Sequence, residues 1–165
     1  MLGEKMGSMT ATAVTKVLPT DGTLPKFEVT AQGSGTLAGV QVQLMSTYYA
    51  DMKADGSMYG ECPNATLIMA PDGVATGRAT GAGSTTPDGG SKFRGACYIE
   101  TTAPSLMSLN GKAMVYEWDV EAGGGAADRT NDVVDLVHGA RLEVAGHVAH
   151  PGCAGHDTFH AVSYT

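Results

Sequence analysis

All five histidines of the chain lie at or after position 138, together with one of its three cysteines. Imidazole nitrogen and thiolate sulfur are ligands that zinc prefers, and close spacing lets a short loop surround one ion. Three such ligands and an open position would activate a bound water. The alternative is a His-rich terminus that holds no metal. The predicted metal ligands are His147, His150, Cys153, His156 and His160.

Aspartates close to this cluster offer a second set of ligands. Asp132, Asp135 and Asp157 carry carboxylate oxygens, which calcium and magnesium prefer to nitrogen or sulfur. We therefore expect a divalent metal, with zinc as the first choice and calcium as the alternative.

Polar and aromatic side chains also alternate along two earlier segments, residues 92–100 and 112–120. If their polar faces point into a barrel, Glu100 or Glu117 together with Tyr98 could act as base and acid, since a carboxyl held there could have a raised pKa. The alternative is a solvent face with cross-strand ion pairs. Other side chains expected to contact a ligand are Arg94, Tyr59, Glu61, Arg78, Tyr116 and Trp118.

Composition limits the fold class and the partners. Gly makes up 23 of 165 residues and charged residues only 16%, which is typical of β proteins with many tight turns. The net charge is −7 and ten Lys and Arg are scattered singly, which argues against a nucleic-acid partner. No apolar stretch approaches the length that spans a membrane. An odd number of cysteines without a signal peptide predicts reduced thiols and a cytoplasmic protein.

The common catalytic motifs are absent. The sequence contains no Gly-x-Ser-x-Gly elbow, no Gly-x-x-x-x-Gly-Lys phosphate loop and no His-Glu-x-x-His pair. Gly33, Gly35 and Gly39 have the wrong spacing for a dinucleotide loop, so we interpret them as turns between strands. Cys62 and Cys97 have no adjacent base and are expected to be small buried residues.

Period-two alternation predicts a series of short strands. Asp-Gly pairs at positions 55, 72 and 88 supply tight hairpin turns, and 63–64 and 81–84 are expected to turn at the opposite end. Residues 105–111 predict one helical turn. The expected fold is all-β, an antiparallel up-and-down barrel of about eight strands, with a two-sheet sandwich as the alternative. The strand-like segments are 26–31, 40–47, 57–61, 66–69, 74–80, 92–100 and 112–120.

Three regions are expected along the chain. Residues 1–15 predict a flexible leader, 16–122 the β domain, and 123–165 a Gly- and His-rich tail. Within the tail, 128–138 is ambiguous and could form a short helix, while 141–145 could add a strand.

Four segments resemble a family of small uncharacterised bacterial all-β proteins: GSGTLAGV (33–40), DGSMYGE (55–61), FRGACY (93–98) and LNGKAMVYEWDV (109–120). The resemblance covers about residues 15–122 and implies a fold but no chemistry. The family closes with a short aromatic strand, which this sequence does not show after Gly125. The tail is therefore expected to supply a different closing element or to be an appended segment.

Three functions fit these patterns. The first choice is a metal-assisted hydrolase of esters or lactones, with an apolar acyl tail in a barrel cavity and a metal-bound water as nucleophile. The alternatives are a non-enzymatic binding protein for a small apolar ligand and a cofactor-free isomerase or cyclase in the barrel lumen. An open barrel edge would favour a homodimer.

Overall fold

The computed structural model describes residues 4–122 and 132–138, which form eight antiparallel strands closed into one barrel. Each strand pairs with its neighbours in sequence, and β8 pairs with both β7 and β1. The up-and-down barrel predicted from the turns is confirmed. The strands are β1 (Glu4–Leu18), β2 (Lys26–Leu37), β3 (Val40–Met52), β4 (Ser57–Ala70), β5 (Gly73–Thr85), β6 (Ser91–Thr101), β7 (Met114–Val120) and β8 (Asp132–His138).

Most of the predicted leader is a strand. β1 pairs with β2 from Gly7 opposite Leu37 to Leu18 opposite Lys26, so the prediction of a flexible segment over 1–15 is wrong for the residues described. The inward residues of β1 include Met9, Ala11 and Ala13, whose small or flexible side chains give a weak alternation signal. Pairing with two neighbouring strands orders β1, and its own hydrophobic pattern is too weak to predict a strand.

The three Asp-Gly turns are confirmed. Gly56 and Gly89 have φ values of 84° and 94°, the left-handed region that Gly adopts without steric cost. Asp55 accepts hydrogen bonds from the backbone N–H of Ser57 at 2.9 Å and from its hydroxyl at 2.6 Å, and these hold the pKa of Asp55 below its usual value.

Gly33 and Gly35 are not turn residues, because both lie inside β2; the turn itself is at Ala38–Gly39. The predicted turn at 81–84 likewise lies inside β5. At these positions the glycines let neighbouring strands approach closely. Their role is therefore packing within the sheet, which sequence alone does not distinguish from turn formation.

The two predicted strands at 57–61 and 66–69 are one strand, β4, interrupted by a bulge. Three exposed residues, Pro63 to Ala65, face the single residue Arg78 of β5. Pro63 has no N–H to donate, and Asn64 has a φ of 57°, which Asn tolerates better than most residues. The turn predicted here is wrong because the same residue types also form bulges.

The tail contributes β8, so the closing strand that the sequence did not reveal is Asp132–His138, and the helix considered for 128–138 is not formed over these residues. β8 pairs with β1 from Glu4 opposite His138 to Ala11 opposite Asp132. The barrel therefore has no open edge, which removes the reason for expecting a homodimer. The possible strand at 141–145 and the metal ligands at 147–160 lie outside the described residues.

A 3₁₀ helix, Pro104–Leu109, covers one end of the barrel and confirms the predicted helical turn. Leu106 and Leu109 are fully buried. Asp72 accepts hydrogen bonds from the backbone N–H of Ser105 at 2.8 Å and from its hydroxyl at 2.6 Å, tying this helix to the β4–β5 turn. Among the described residues no helix is long and apolar enough to cross a membrane.

The β1–β2 interface predicts a strong effect of Gly33→Ala. A methyl group at Gly33 would overlap the carbonyl oxygen of Thr10 and the backbone of Ala11, so the strands must separate. We expect the free energy of unfolding, measured by urea denaturation, to fall by about 2 kcal/mol or more. Gly22→Ala is the matched control, because the nearest atom to its added methyl would be the Thr20 hydroxyl at 3.5 Å. Equal stability of the two variants would contradict this packing.

A candidate ligand site in the barrel lumen

The residues predicted as acid, base and partner lie on the outer face of the barrel. Glu100 and Glu117 are exposed, and Tyr98 retains 53% of its accessible surface. The prediction that they converge inside the lumen is wrong. The opposite face of β6 carries Phe93, Cys97 and Ile99, all buried. Burying these apolar groups turns the charged face outward, because an unpaired buried charge is costly.

The predicted ligand residue Arg94 is also exposed, in a surface ion cluster. Its guanidinium donates a hydrogen bond to the Asp119 carboxylate and lies 3.5 Å from Glu117. Asp119 raises the pKa of Arg94 through the hydrogen bond and its charge. This arrangement is the cross-strand ion pairing that the sequence offered as the alternative.

Three more predicted ligand residues have exposed side chains. The Tyr59 ring lies 5.8 Å from the Lys53 ammonium on the outer face. Glu61 and Arg78 are exposed but contribute to the wall of an internal cavity beside the β4 bulge. Tyr116 and Trp118 line this cavity from inside, and their predicted contact with a ligand stays a prediction.

The lumen contains a cavity of about 110 Å³. Its wall is apolar apart from a few hydroxyl, thiol and indole groups and the exposed side chains of Glu61 and Arg78. Such a surface favours an apolar molecule oriented by a small number of hydrogen bonds. The lining residues are Met9, Leu44, Ser46, Tyr48, Gly60, Glu61, Cys62, Thr66, Ile68, Gly77, Arg78, Ala79, Phe93, Cys97, Ile99, Tyr116 and Trp118.

A hydrogen bond crosses the lumen between Tyr48 on β3 and Trp118 on β7. These strands are four apart in the closed order of eight, so they form opposite walls. The indole N–H donates to the Tyr48 hydroxyl at 2.9 Å, and the rings meet edge to face at 88° with centroids 6.2 Å apart. This pair satisfies the buried indole donor and joins the two walls.

A second polar group lies where the β4 bulge meets the cavity. The Ser46 and Thr66 hydroxyls are 2.7 Å apart, and the Cys62 thiol donates to the carbonyl of Thr47 at 3.3 Å. The outward bulge brings Cys62 and Thr66 together on the inner face, with 3.2 Å between Sγ and Oγ1. These groups satisfy one another inside the barrel. The expectation that Cys62 and Cys97 are buried is confirmed.

β5 forms a wall of small residues, which leaves space for large side chains from other strands. Its inward residues are Gly or Ala, including Gly77, Ala79 and Gly81. Tyr116 pairs with Gly95, and its ring reaches across β6 so that the hydroxyl lies over Gly81. The cavity is the space that this small-residue strand leaves unfilled.

Sequence reasoning missed Tyr48, Ser46 and Thr66. Tyr48 shares the inward face of β3 with Val42 and Leu44, so extending the alternation past residue 47 would have found it. Thr66 was assigned to a separate strand, and no signal in the sequence connects it with Cys62 across the bulge. Within the described residues, no three His, Cys, Asp or Glu side chains are placed to hold a metal ion.

The Tyr48–Trp118 hydrogen bond predicts a specific loss in Tyr48→Phe. Removing the hydroxyl leaves the buried indole N–H without this acceptor, so we expect the free energy of unfolding to fall by about 1–3 kcal/mol. The emission of the chain's single tryptophan should shift as well. Tyr49→Phe is the control, because Tyr49 is exposed on the same strand. Indistinguishable variants would show that the hydrogen bond contributes nothing.

The weakly acidic side chains of Cys97 and Tyr116 predict that the folded protein loses stability at high pH. Burial raises the pKa of Cys97 and that of Tyr116 to about 12. The unfolded chain releases these protons at a lower pH, near about 8.5 for Cys and 10 for Tyr, so stability falls as the pH rises from about 9 towards 12. We expect Cys97→Ala to make this decline shallower in urea unfolding curves. An unchanged slope would mean that Cys97 does not contribute to it.

Comparisons with known proteins support the fold. No protein-family model and no curated protein matches the chain. Among solved structures, it is similar to the crystal structure of a conserved protein of unknown function from Rhodopseudomonas palustris. The TM-score is 0.63 at 15% identity, covering 82% of this chain and 96% of that chain. At this identity the likeness establishes a shared all-β barrel architecture and carries no information on function.

Proposed function

We propose that the chain is a binding protein that holds one small apolar molecule in the lumen of its barrel. The observation that carries this proposal is the apolar cavity of about 110 Å³ between the walls joined by Tyr48 and Trp118. Small-molecule sites are typically concave and apolar with a few placed polar groups. The lumen has this character.

The cavity volume limits the size of the ligand. An apolar cavity of about 150 Å³ in a protein core can bind benzene. The lumen is somewhat smaller, so a molecule of roughly four to six non-hydrogen atoms fills it, or a larger molecule extends beyond the cavity. Phe93, Ile68 and Leu44 would contact such a molecule through dispersion and the hydrophobic effect.

The enzymatic functions expected from the sequence have less support. Metal-assisted hydrolysis of esters or lactones stays a prediction, because its metal ligands at 147–160 lie outside the described residues. The cofactor-free isomerase required Glu100 or Glu117 in the lumen, and both side chains are exposed. We retain a cytoplasmic location as part of the proposal, since the buried Cys62 and Cys97 are free thiols.

Filling the lumen tests the proposal. Ala79 lines the cavity, so Ala79→Leu places three more carbon atoms there, whereas Ala82→Leu adds the same atoms to the exposed face of β5. We expect benzene or toluene to raise the Tm of the natural protein and of Ala82→Leu, and to have little effect on Ala79→Leu. Calorimetry should give the same order of affinities.

The results of this experiment distinguish lumen binding from binding elsewhere. If no small apolar molecule stabilises the natural protein, lumen binding as proposed is wrong. If Ala79→Leu is stabilised as much as Ala82→Leu, the ligand binds elsewhere. Far-ultraviolet circular dichroism of both variants shows whether the barrel has formed.

A further inference from the structure

We infer that the lumen selects uncharged molecules that carry one hydrogen-bond acceptor, such as small cyclic ketones, which the Tyr116 hydroxyl binds as donor. This inference rests on the proposed function and narrows its ligand class. It depends on three features: this hydroxyl has no partner among the described residues, it is protonated, and no buried charge is found among residues 5–122.

The Tyr116 hydroxyl has no hydrogen-bond partner within the part of the chain that the structure describes, although Tyr116 lines the cavity. The hydroxyl and indole groups described elsewhere in the wall already have partners. The indole of Trp118 donates to Tyr48, and the Ser46 hydroxyl contacts that of Thr66. The Cys97 thiol is only a weak donor and the charged Arg78 side chain is exposed to water, so Tyr116 is the strongest neutral donor without a partner among the described residues of the wall.

The hydroxyl is held in position by the fold. Tyr116 lies opposite Gly95 in the β6–β7 ladder, and its hydroxyl reaches Gly81, where a methyl group would collide with the phenolic oxygen. Its ring therefore crosses β6 and reaches β5 at a site where both strands have Gly and no side chain competes for the space. A donor fixed in this way loses little conformational entropy when a ligand accepts its hydrogen bond.

The charge state of the site favours neutral ligands. Burial raises the pKa of Tyr116 to about 12, so the group is a neutral donor across the physiological range. None of the buried residues among positions 5–122 carries a charge. A carboxylate ligand would lose its hydration without a buried counter-charge, whereas a ketone oxygen loses less and regains one hydrogen bond.

Two ligands of nearly equal shape test the inference: cyclohexanone and methylenecyclohexane, which differ by a carbonyl oxygen in place of a CH₂ group. Their affinities are measured by calorimetry for the natural protein, Tyr116→Phe and the control Tyr98→Phe, whose tyrosine is exposed on β6. We expect Tyr116→Phe to weaken cyclohexanone binding about tenfold and to leave methylenecyclohexane binding within about twofold. Tyr98→Phe should change neither affinity.

A spectroscopic measurement separates a hydrogen bond from a change in cavity shape. The infrared C=O stretch of bound cyclohexanone should lie at lower frequency in the natural protein than in Tyr116→Phe. Affinity for the ketone should also stay constant from pH 6 to 9, because the donor does not titrate in this range.

Different results would contradict the role of Tyr116 and the binding of ligands in the lumen. If both ligands bind and Tyr116→Phe changes neither affinity, the inference about Tyr116 is overturned while lumen binding stands. Tighter binding of cyclopentanecarboxylate than of cyclohexanone would also overturn it, and would point to the exposed Arg78 at the cavity wall. If neither cyclohexanone nor methylenecyclohexane binds, lumen binding of ligands of this size fails with it.

Discussion

The volume enclosed by eight strands is the constraint on which the other features depend. A closed barrel of this size has an interior that side chains can nearly fill, so each large residue needs a small one on a facing strand. Here β5 presents Gly and Ala inward, and Phe93, Tyr116 and Trp118 occupy the space. The large side chains do not fill all of the space that the small ones leave, and the unfilled volume is the cavity.

The hydroxyl, thiol and indole groups described inside this volume mostly form hydrogen bonds with one another. The Tyr48–Trp118 hydrogen bond joins opposite walls, and Ser46, Cys62 and Thr66 form a group at the bulge. Because a buried polar atom without a partner is costly, these contacts specify how the strands are aligned around the lumen. The Tyr116 hydroxyl is the exception among the described hydroxyl and indole groups of the wall, and a ligand that accepts its hydrogen bond would gain from this.

Several elements could be predicted from the sequence because their signals are local. The Asp-Gly turns need a positive φ that Gly provides, and the alternation in β6 and β7 places Trp118 and Tyr116 on one face. Which face of a strand points inward depends on the tertiary structure and not on a local signal. The charged and apolar faces of β6 were both visible, but the lumen role given to Arg94 and Glu100 required burial of charge without partners, and the outer face pairs Arg94 with Asp119.

β1, the bulge and β8 show why other elements were missed. β1 consists largely of Ala, Thr, Gly and Met, and its order comes from pairing with β2 and β8. Pro63 and Asn64 suit a turn and a bulge equally well, and only pairing of β4 with both neighbours distinguishes the two. β8 follows a Gly-rich segment, and β1, one of its two pairing partners, is distant in sequence.

By itself, the sequence determined the fold class, the Asp-Gly turns, the burial of Cys62 and Cys97 and the aromatic face of β7, because alternation and turn chemistry act over a few residues. The tertiary structure alone decided which strand faces enclose the lumen, that Tyr48 meets Trp118 across it, and that Tyr116 reaches Gly81 without a hydrogen-bond partner among the described residues. These contacts join residues far apart in the chain, and they exist only because closure of the barrel brings opposite walls together.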